Sequence, residues 1–251
     1  MRRMSDGPET PTDGPVLTAD GVSKSFGPVD VLSDISCVIP AEEVVAIIGP
    51  NGSGKTTLLR TLVGDLRPTA GEVTYHGPSV DRPIGYLPQR ATFRSGFSCA
   101  ETLSFYGSFV DGPDPATLLE RVGLEGAADR NVEALSGGMR RLLGIAQAMV
   151  GDPPLVVLDE PASGLDPNMS ASVFETAGEM AGGGTTVLLS SHDMSLVEAV
   201  ADTVLVVSQG DVVASGAVAE LYDRFEVSSL RGVIGSVVDD SDRVAVLGGD
   251  A

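Results

Sequence analysis

Lysine is almost missing from this 251-residue chain: only Lys24 and Lys55 are present, and 16 basic residues stand against 35 acidic ones, a formal net charge of −19. A surface of that sign repels phosphodiester backbones, so no nucleic-acid partner is expected. It suits a protein kept soluble in concentrated salt, where screening is short-ranged, and charge alone therefore raises the expectation of salt adaptation. Long apolar runs are lacking too, the longest reaching about a third of the ~18 residues that a membrane-spanning helix needs. A membrane role would have to pass through a partner. No apolar stretch follows Arg2 and Arg3, which argues against a secretory signal. Cysteine is confined to Cys37 and Cys99, without Cys-x-x-Cys spacing or a Cys/His cluster, and two reduced, structural thiols in a cytoplasmic protein are expected.

What the chain does have is enough length, and 42 % apolar residues, for a sizeable folded core of one large domain or two small ones. Its most informative stretch is Val44 to Leu59. Five apolar residues, Val44 to Ile48, read as a strand buried on both faces; a glycine-rich turn follows, and then a helical pattern. From Gly49 through Pro50, Asn51, Gly52, Ser53, Gly54 and Lys55 to Thr56 the spacing is G-x-x-x-x-G-K-T, a phosphate-binding loop, with Thr57 next. Glycines 49, 52 and 54 let the backbone curl with its N–H groups inward, and the following helix adds unpaired N–H groups and a positive dipole end. Lys55 is expected to reach the β- and γ-phosphates, and the Thr56 hydroxyl to ligate Mg²⁺.

The rest of the chain reads as follows. Met1 to Pro15 is expected to be a disordered tail. Val16–Ala19 and Val31–Leu32 flank a Gly/Pro turn as paired strands. Between them Phe26, the only aromatic residue before Gly49, is either a plain core residue or a stacking face for an adenine ring. Ile84 to Gln89 is a strand ending at an amide, and taken alone Gln89 is a loop residue. Phe97 to Leu124 has helical spacing broken at Asp111–Pro115, which predicts a helical subdomain over about 95–150.

Ser136 is a good N-cap for a helix expected over Arg140 to Val150, and Gly137 and Gly138 leave its N-terminus open to an anion. Leu155–Leu158 form a buried strand delivering Asp159 and Glu160 at its end, where ligands sit in open α/β sheets. Two adjacent carboxylates there are costly unless a cation and a water share the load. Asp159 is the expected Mg²⁺ contact and Glu160 the general base. Ser163 to Pro167 reads as a turn. Thr186–Ser190 is another buried strand, ending at His192, which alone would be a structural hydrogen-bonder. A hairpin around Gly210 closes the pattern, and 225–251 is an extension without a motif, acidic at Asp239, Asp240 and Asp242.

In this order the residues resemble the ATP-binding subunit of ABC transporters, over roughly Val16 to Arg224. The resemblance implies an α/β fold: a P-loop NTPase core with a mostly parallel sheet, an antiparallel β subdomain and a helical subdomain. Phe26 is then similar to the adenine-stacking aromatic and Gly49–Thr57 to the Walker A loop. Gln89 resembles the Q-loop glutamine, which senses Mg²⁺ and faces the membrane partner, and Leu135–Met139 the signature loop. Leu155–Glu160 resemble the Walker B strand, Ser163–Asp166 the D-loop, and His192 the switch histidine. Met139 departs from the usual Ser-Gly-Gly-Gln ending; the sequence Ser-Gly-Gly-Met-Arg-Arg-Leu resembles the exporter-type and copper-processing branch more than the metal-uptake branch.

The family implies ATP and Mg²⁺ as cofactors and a homodimer or heterodimer closing head to tail over two ATP molecules. It also implies an integral membrane permease as partner and a place on the cytoplasmic face of the membrane. A metal-ion uptake subunit and a soluble ABC protein acting on ribosomes or DNA are the alternatives. A regulatory, non-hydrolysing subunit is disfavoured by the presence of both Glu160 and His192.

Overall fold

The structure, a computed structural model, describes residues 14–237. Most of the expected N-terminal tail therefore lies outside the described residues, but Pro15 already begins strand β1. β1 (Pro15–Phe26) and β2 (Val29–Pro40) pair antiparallel across the Gly27-Pro28 turn. The chain then runs through β3 (Val44–Ile48) and helix α1 (Lys55–Leu62) before β4 (Ala70–Tyr75) returns to the free edge of β1. Together β2, β1 and β4 make a three-stranded antiparallel sheet.

β5 (Ile84–Leu87) leads into the expected helical stretch, which holds α2 (Cys99–Gly107), α3 (Pro115–Arg121) and α4 (Gly137–Ala148). Local chemistry sets their starts. The Ser98 hydroxyl accepts from the Glu101 N–H while Glu101 accepts from the Ser98 N–H, a reciprocal cap. At α3 the Asp114 carboxylate caps a helix whose first residue is Pro115, so the sequence break there is also a helix start. α4 begins three residues before the expected Arg140, because the Ser136 hydroxyl takes the Met139 N–H and both glycines join the first turn.

The second half alternates β6 (Leu155–Leu158), α5 (Pro167–Gly182), β7 (Thr186–Ser190), α6 (Met194–Val200), β8 (Thr203–Ser208), β9 (Asp211–Ala217) and α7 (Val218–Phe225). α5 is 16 residues long, yet only a turn is expected where it starts. Asp166 caps it through the Asn168 and Met169 N–H groups, and Val173, Phe174, Ala177, Met180 and Ala181 form its buried stripe. That spacing is helical and present in the sequence, diluted by small and polar residues.

Six strands form the main sheet in the order β5-β6-β7-β3-β8-β9, parallel from β5 to β8 and closed by antiparallel β9. Side chains alternate between two cores, as a strand buried on both faces requires. Val45, Ile47, Val157, Leu188 and Leu205 pack against Leu58, Leu59 and Leu62 of α1 and the antiparallel sheet. Ala46, Ile48, Val156, Leu189 and Val206 pack against α4 to α7.

The C-terminal extension is in part integral to that second core. Residues 230–237 are helical, Leu230 and Val233 are fully buried, and the Leu230 N–H donates to Glu198 at 2.6 Å. The acidic positions 239, 240 and 242 lie outside the described residues. Both cysteines are buried and free, and burial pushes the Cys37 thiol up to about 11, which keeps it protonated and inert at neutral pH. No helix among the described residues is long and apolar enough to cross a membrane.

The contact between β5 and α4 is tight at Gly85, where a Cβ would lie 1.9 Å from the Ala148 carbonyl oxygen. Gly85→Ala must therefore push α4 away from β5. A loss of about 1–3 kcal/mol in unfolding free energy is expected, measured by urea titration.

Candidate functional site

Because β5, β6, β7 and β3 are parallel neighbours, their C-terminal ends open onto one edge of the sheet, and each is followed by one of the singled-out segments. In spatial order these are Gln89, the Asp159-Glu160 pair, the Ser190–His192 strand end and the 49–57 loop.

The loop owes its shape to glycine. Gly49, Gly52 and Gly54 have φ of 150°, 81° and 106°, and a Cβ on Gly49 would lie 2.0 Å from the Val207 carbonyl oxygen. Pro50, Asn51 and Gly52 are exposed, whereas Ser53 and Lys55 are buried. Lys55 Nζ donates to the Gly49 and Pro50 carbonyls at 2.9 and 3.0 Å. Burial lowers its pKa, opposed by the nearby negative charges of Glu160 and Asp159. Thr56 and Thr57 follow in the first turn of α1, which starts without a side-chain cap.

Asp159 and Glu160 are buried at the end of β6, and their neighbours answer the charge. Asp159 Oδ1 accepts from the Ser190 hydroxyl at 2.7 Å and the Thr56 hydroxyl at 3.2 Å. Its Oδ2 is buried without a partner, as is the Ser53 hydroxyl. A Mg²⁺ ion fits this arrangement, since a hard cation seeks oxygen ligands and completes its shell with water and phosphate. Glu160 sits at φ 49°, a left-handed conformation that costs a residue with a Cβ about 1–2 kcal/mol. Its N–H donates to Ser190 Oγ at 2.9 Å, and its Oε2 lies 2.8 Å from His192 Nδ1. Beside an ionised Glu160 that contact places a ring proton on Nδ1. The His192 side chain is 62 % exposed and that of Glu160 10 %, so the histidine stands between the carboxylate and solvent.

Gln89 is exposed, and its carbonyl accepts from Arg141 at 3.0 Å. It shares a cleft of about 310 Å³ with Gly137, Arg141 and the 163–165 turn. Ser136, Gly137 and Gly138 open α4 on that side, and among the described residues none of them hydrogen-bonds to the 49–57 loop. Phe26 is not a core residue: it is 48 % exposed at the end of β1, with Lys24 Nζ 5.1 Å from its ring centre. The loop approaches this hairpin at Gly54, beside the Val31 carbonyl and Leu32.

Two residues of the site were not singled out in the sequence. Ser190 binds both Asp159 and Glu160, and its only sequence signal is a hydroxyl closing an apolar strand. Arg141 is buried and donates to the carbonyls of Pro88, Gln89, Asp159, Glu160 and Pro161. Its signal is a charge one residue before Leu142 and four before Ile145, on the buried side of α4.

Comparison with known proteins shows the family and the fold. A family profile described as ABC transporter matches residues 32–163. The Nod factor export ATP-binding protein I of Ralstonia nicotianae is 34 % identical over 220 residues, 82 % of this chain and 68 % of that protein. The protein of the same name from Rhizobium meliloti is 36 % identical over 217 residues, 81 % of this chain and 64 % of that one. The daunorubicin resistance ATP-binding protein DrrA3 of Streptomyces coeruleorubidus is 36 % identical over 229 residues, 84 % and 72 % of the two chains. Among solved structures, an ATP-binding subunit of an ABC transporter superposes with a TM-score of 0.79 at 25 % identity, covering 89 % of this chain and 99 % of that one. A nucleotide-free ATP-binding cassette from an ABC transporter gives 0.73 at 25 % identity, covering 94 % and 100 %.

Among the described residues, the Ser190 hydroxyl is the single group that both donates to the Asp159 carboxylate and accepts from the Glu160 N–H. Ser190→Ala removes both bonds inside the fold and is expected to cost about 1–3 kcal/mol of stability, read by denaturant unfolding.

Proposed function

The chain belongs to the ABC transporter family as an ATP-hydrolysing, ATP-binding subunit, and from that premise we propose that it powers a separate membrane permease by ATP-driven closure of a head-to-tail dimer. The observation that carries the reading is the meeting of Lys55, Thr56, Asp159, Glu160 and His192 on one sheet edge. The 49–57 loop and Lys55 hold the triphosphate, and Phe26, on the hairpin that the loop approaches at Gly54, takes the adenine ring. Thr56, Asp159 and Gln89 would hold Mg²⁺, and the bound ion would neutralise charge on the phosphates. Glu160 takes the proton of the attacking water, and His192 fixes the Glu160 carboxylate and meets the γ-phosphate.

The open start of α4 supports the dimer. Ser136 and Gly137 are exposed, a Cβ on Gly137 would meet nothing within 4 Å, and no bond ties them to the chain's own loop. An anion reaching them comes from a second subunit, of the same or a different chain. Closure over two ATP molecules moves the attached permease on the cytoplasmic face of the membrane, and hydrolysis releases it. Export is the favoured direction, supported by relatives named for Nod factor export and daunorubicin resistance. A copper cargo rests on the signature sequence alone.

Glu160→Gln keeps the shape of the side chain and removes its basicity. ATP turnover should fall by about 100-fold or more while ATP binding persists, and the variant should elute as a dimer only with ATP. Turnover within tenfold of the parent would remove Glu160 from the role of base.

The charge of −19 supports a second property, adaptation to high salt. The unfolding midpoint should rise as salt screens the carboxylates; full stability in dilute buffer would end that reading.

A further inference from the structure

The geometry points to Arg141 as a positioning residue that ties the anion-facing end of α4 to the main chain of Glu160 and Gln89, so that what arrives at Ser136–Gly138 alters the placement of the base. All five of its hydrogen bonds go to main-chain carbonyls. Nε donates to Pro161 at 2.9 Å; one terminal nitrogen donates to Pro88 at 2.9 Å and Gln89 at 3.0 Å; the other donates to Glu160 at 2.6 Å and to Asp159. A guanidinium has five N–H donors in a fixed fork, and here every one is used. Burial lowers its pKa, opposed by the nearby charges of Asp159 and Glu160.

Three consequences follow from that bonding. The Glu160 carbonyl is held by Arg141 and the Glu160 N–H by Ser190, so the left-handed turn at φ 49° is gripped on both sides. The segments after β5 and after β6, adjacent but separate in sequence, are clamped by one side chain. And Arg141 lies in the second turn of α4, five residues after the Ser136 cap, on one continuous helix. A displacement of the α4 start is thereby delivered to Gln89 and Glu160 together. This link between sites rests on the head-to-tail dimer proposed above; the grip on Glu160 does not.

Arg141→Lys in the full-length chain tests it, because an ammonium keeps the charge but cannot reach five carbonyls. kcat for ATP should fall by about tenfold or more, with KM and ATP affinity within about threefold of the parent, since bonds to a charged donor are lost away from the phosphates. The Asp159 and Glu160 amides should exchange with deuterium faster while those of Val45 to Ile47 are unchanged, and the cooperativity of turnover in ATP should be lost. A kcat within twofold of the parent overturns the inference. So does a parallel fall of kcat, ATP affinity and core-strand protection in both Arg141→Lys and Arg141→Gln, which would make Arg141 a fold-stabilising residue only. Cooperativity that survives a reduced kcat overturns the link between sites. Failure of the Glu160→Gln chain to dimerise with ATP, by contrast, removes the dimer and leaves kcat and exchange to judge the grip on Glu160.

Discussion

Two neighbouring carboxylates buried at the end of one strand are the constraint that the rest of this structure answers. Asp159 and Glu160 leave β6 where the sheet offers little water, and burying an unpaired charge costs far more than any single contact returns. The fold meets that cost from every side. Thr56 and Ser190 donate to Asp159, His192 meets Glu160, Ser190 also takes the Glu160 N–H, and Lys55 and Arg141 supply positive charge. Among the described residues, Asp159 Oδ2 is a buried carboxylate oxygen left without a partner, and a cation would satisfy it.

The same constraint explains how an acidic chain handles an anion. With a net charge of −19 the surface repels ATP at a distance, so attraction must be local. One of only two lysines is placed in the phosphate loop, and the remaining positive potential comes from backbone N–H groups curled by glycine. Arginine serves where a fork is needed. At Arg141 it joins five carbonyls at once, which lysine geometry cannot do.

Much of this was legible in the chain. The buried strands Val44–Ile48, Leu155–Leu158 and Thr186–Ser190 are short apolar runs, and the loop glycines and the Asp-Glu pair stand at their ends as the motif spacing requires. Other parts were not. α5 was hidden because its apolar stripe is interleaved with serine, threonine and glycine. The C-terminal residues 225–237 carry no motif, yet Leu230 and Val233 close the second core. Phe26 was undecided between a plain core residue and a stacking face for an adenine ring, and its strand register, which places it at the exposed end of a hairpin, removes the core reading.

The sequence by itself determined which residues are candidates for the chemistry, because phosphate cradling, base catalysis and helix capping each demand particular side chains at particular spacings within a few residues. Tertiary structure alone decided that Ser190 and Arg141 belong with them. Strand order β5-β6-β7-β3 is set by side-chain packing across both faces of the sheet, and it brings together hydroxyl, guanidinium and carbonyl groups that lie far apart along the chain. Main-chain carbonyls look alike in any sequence, so a side chain that recognises them leaves no local pattern to read.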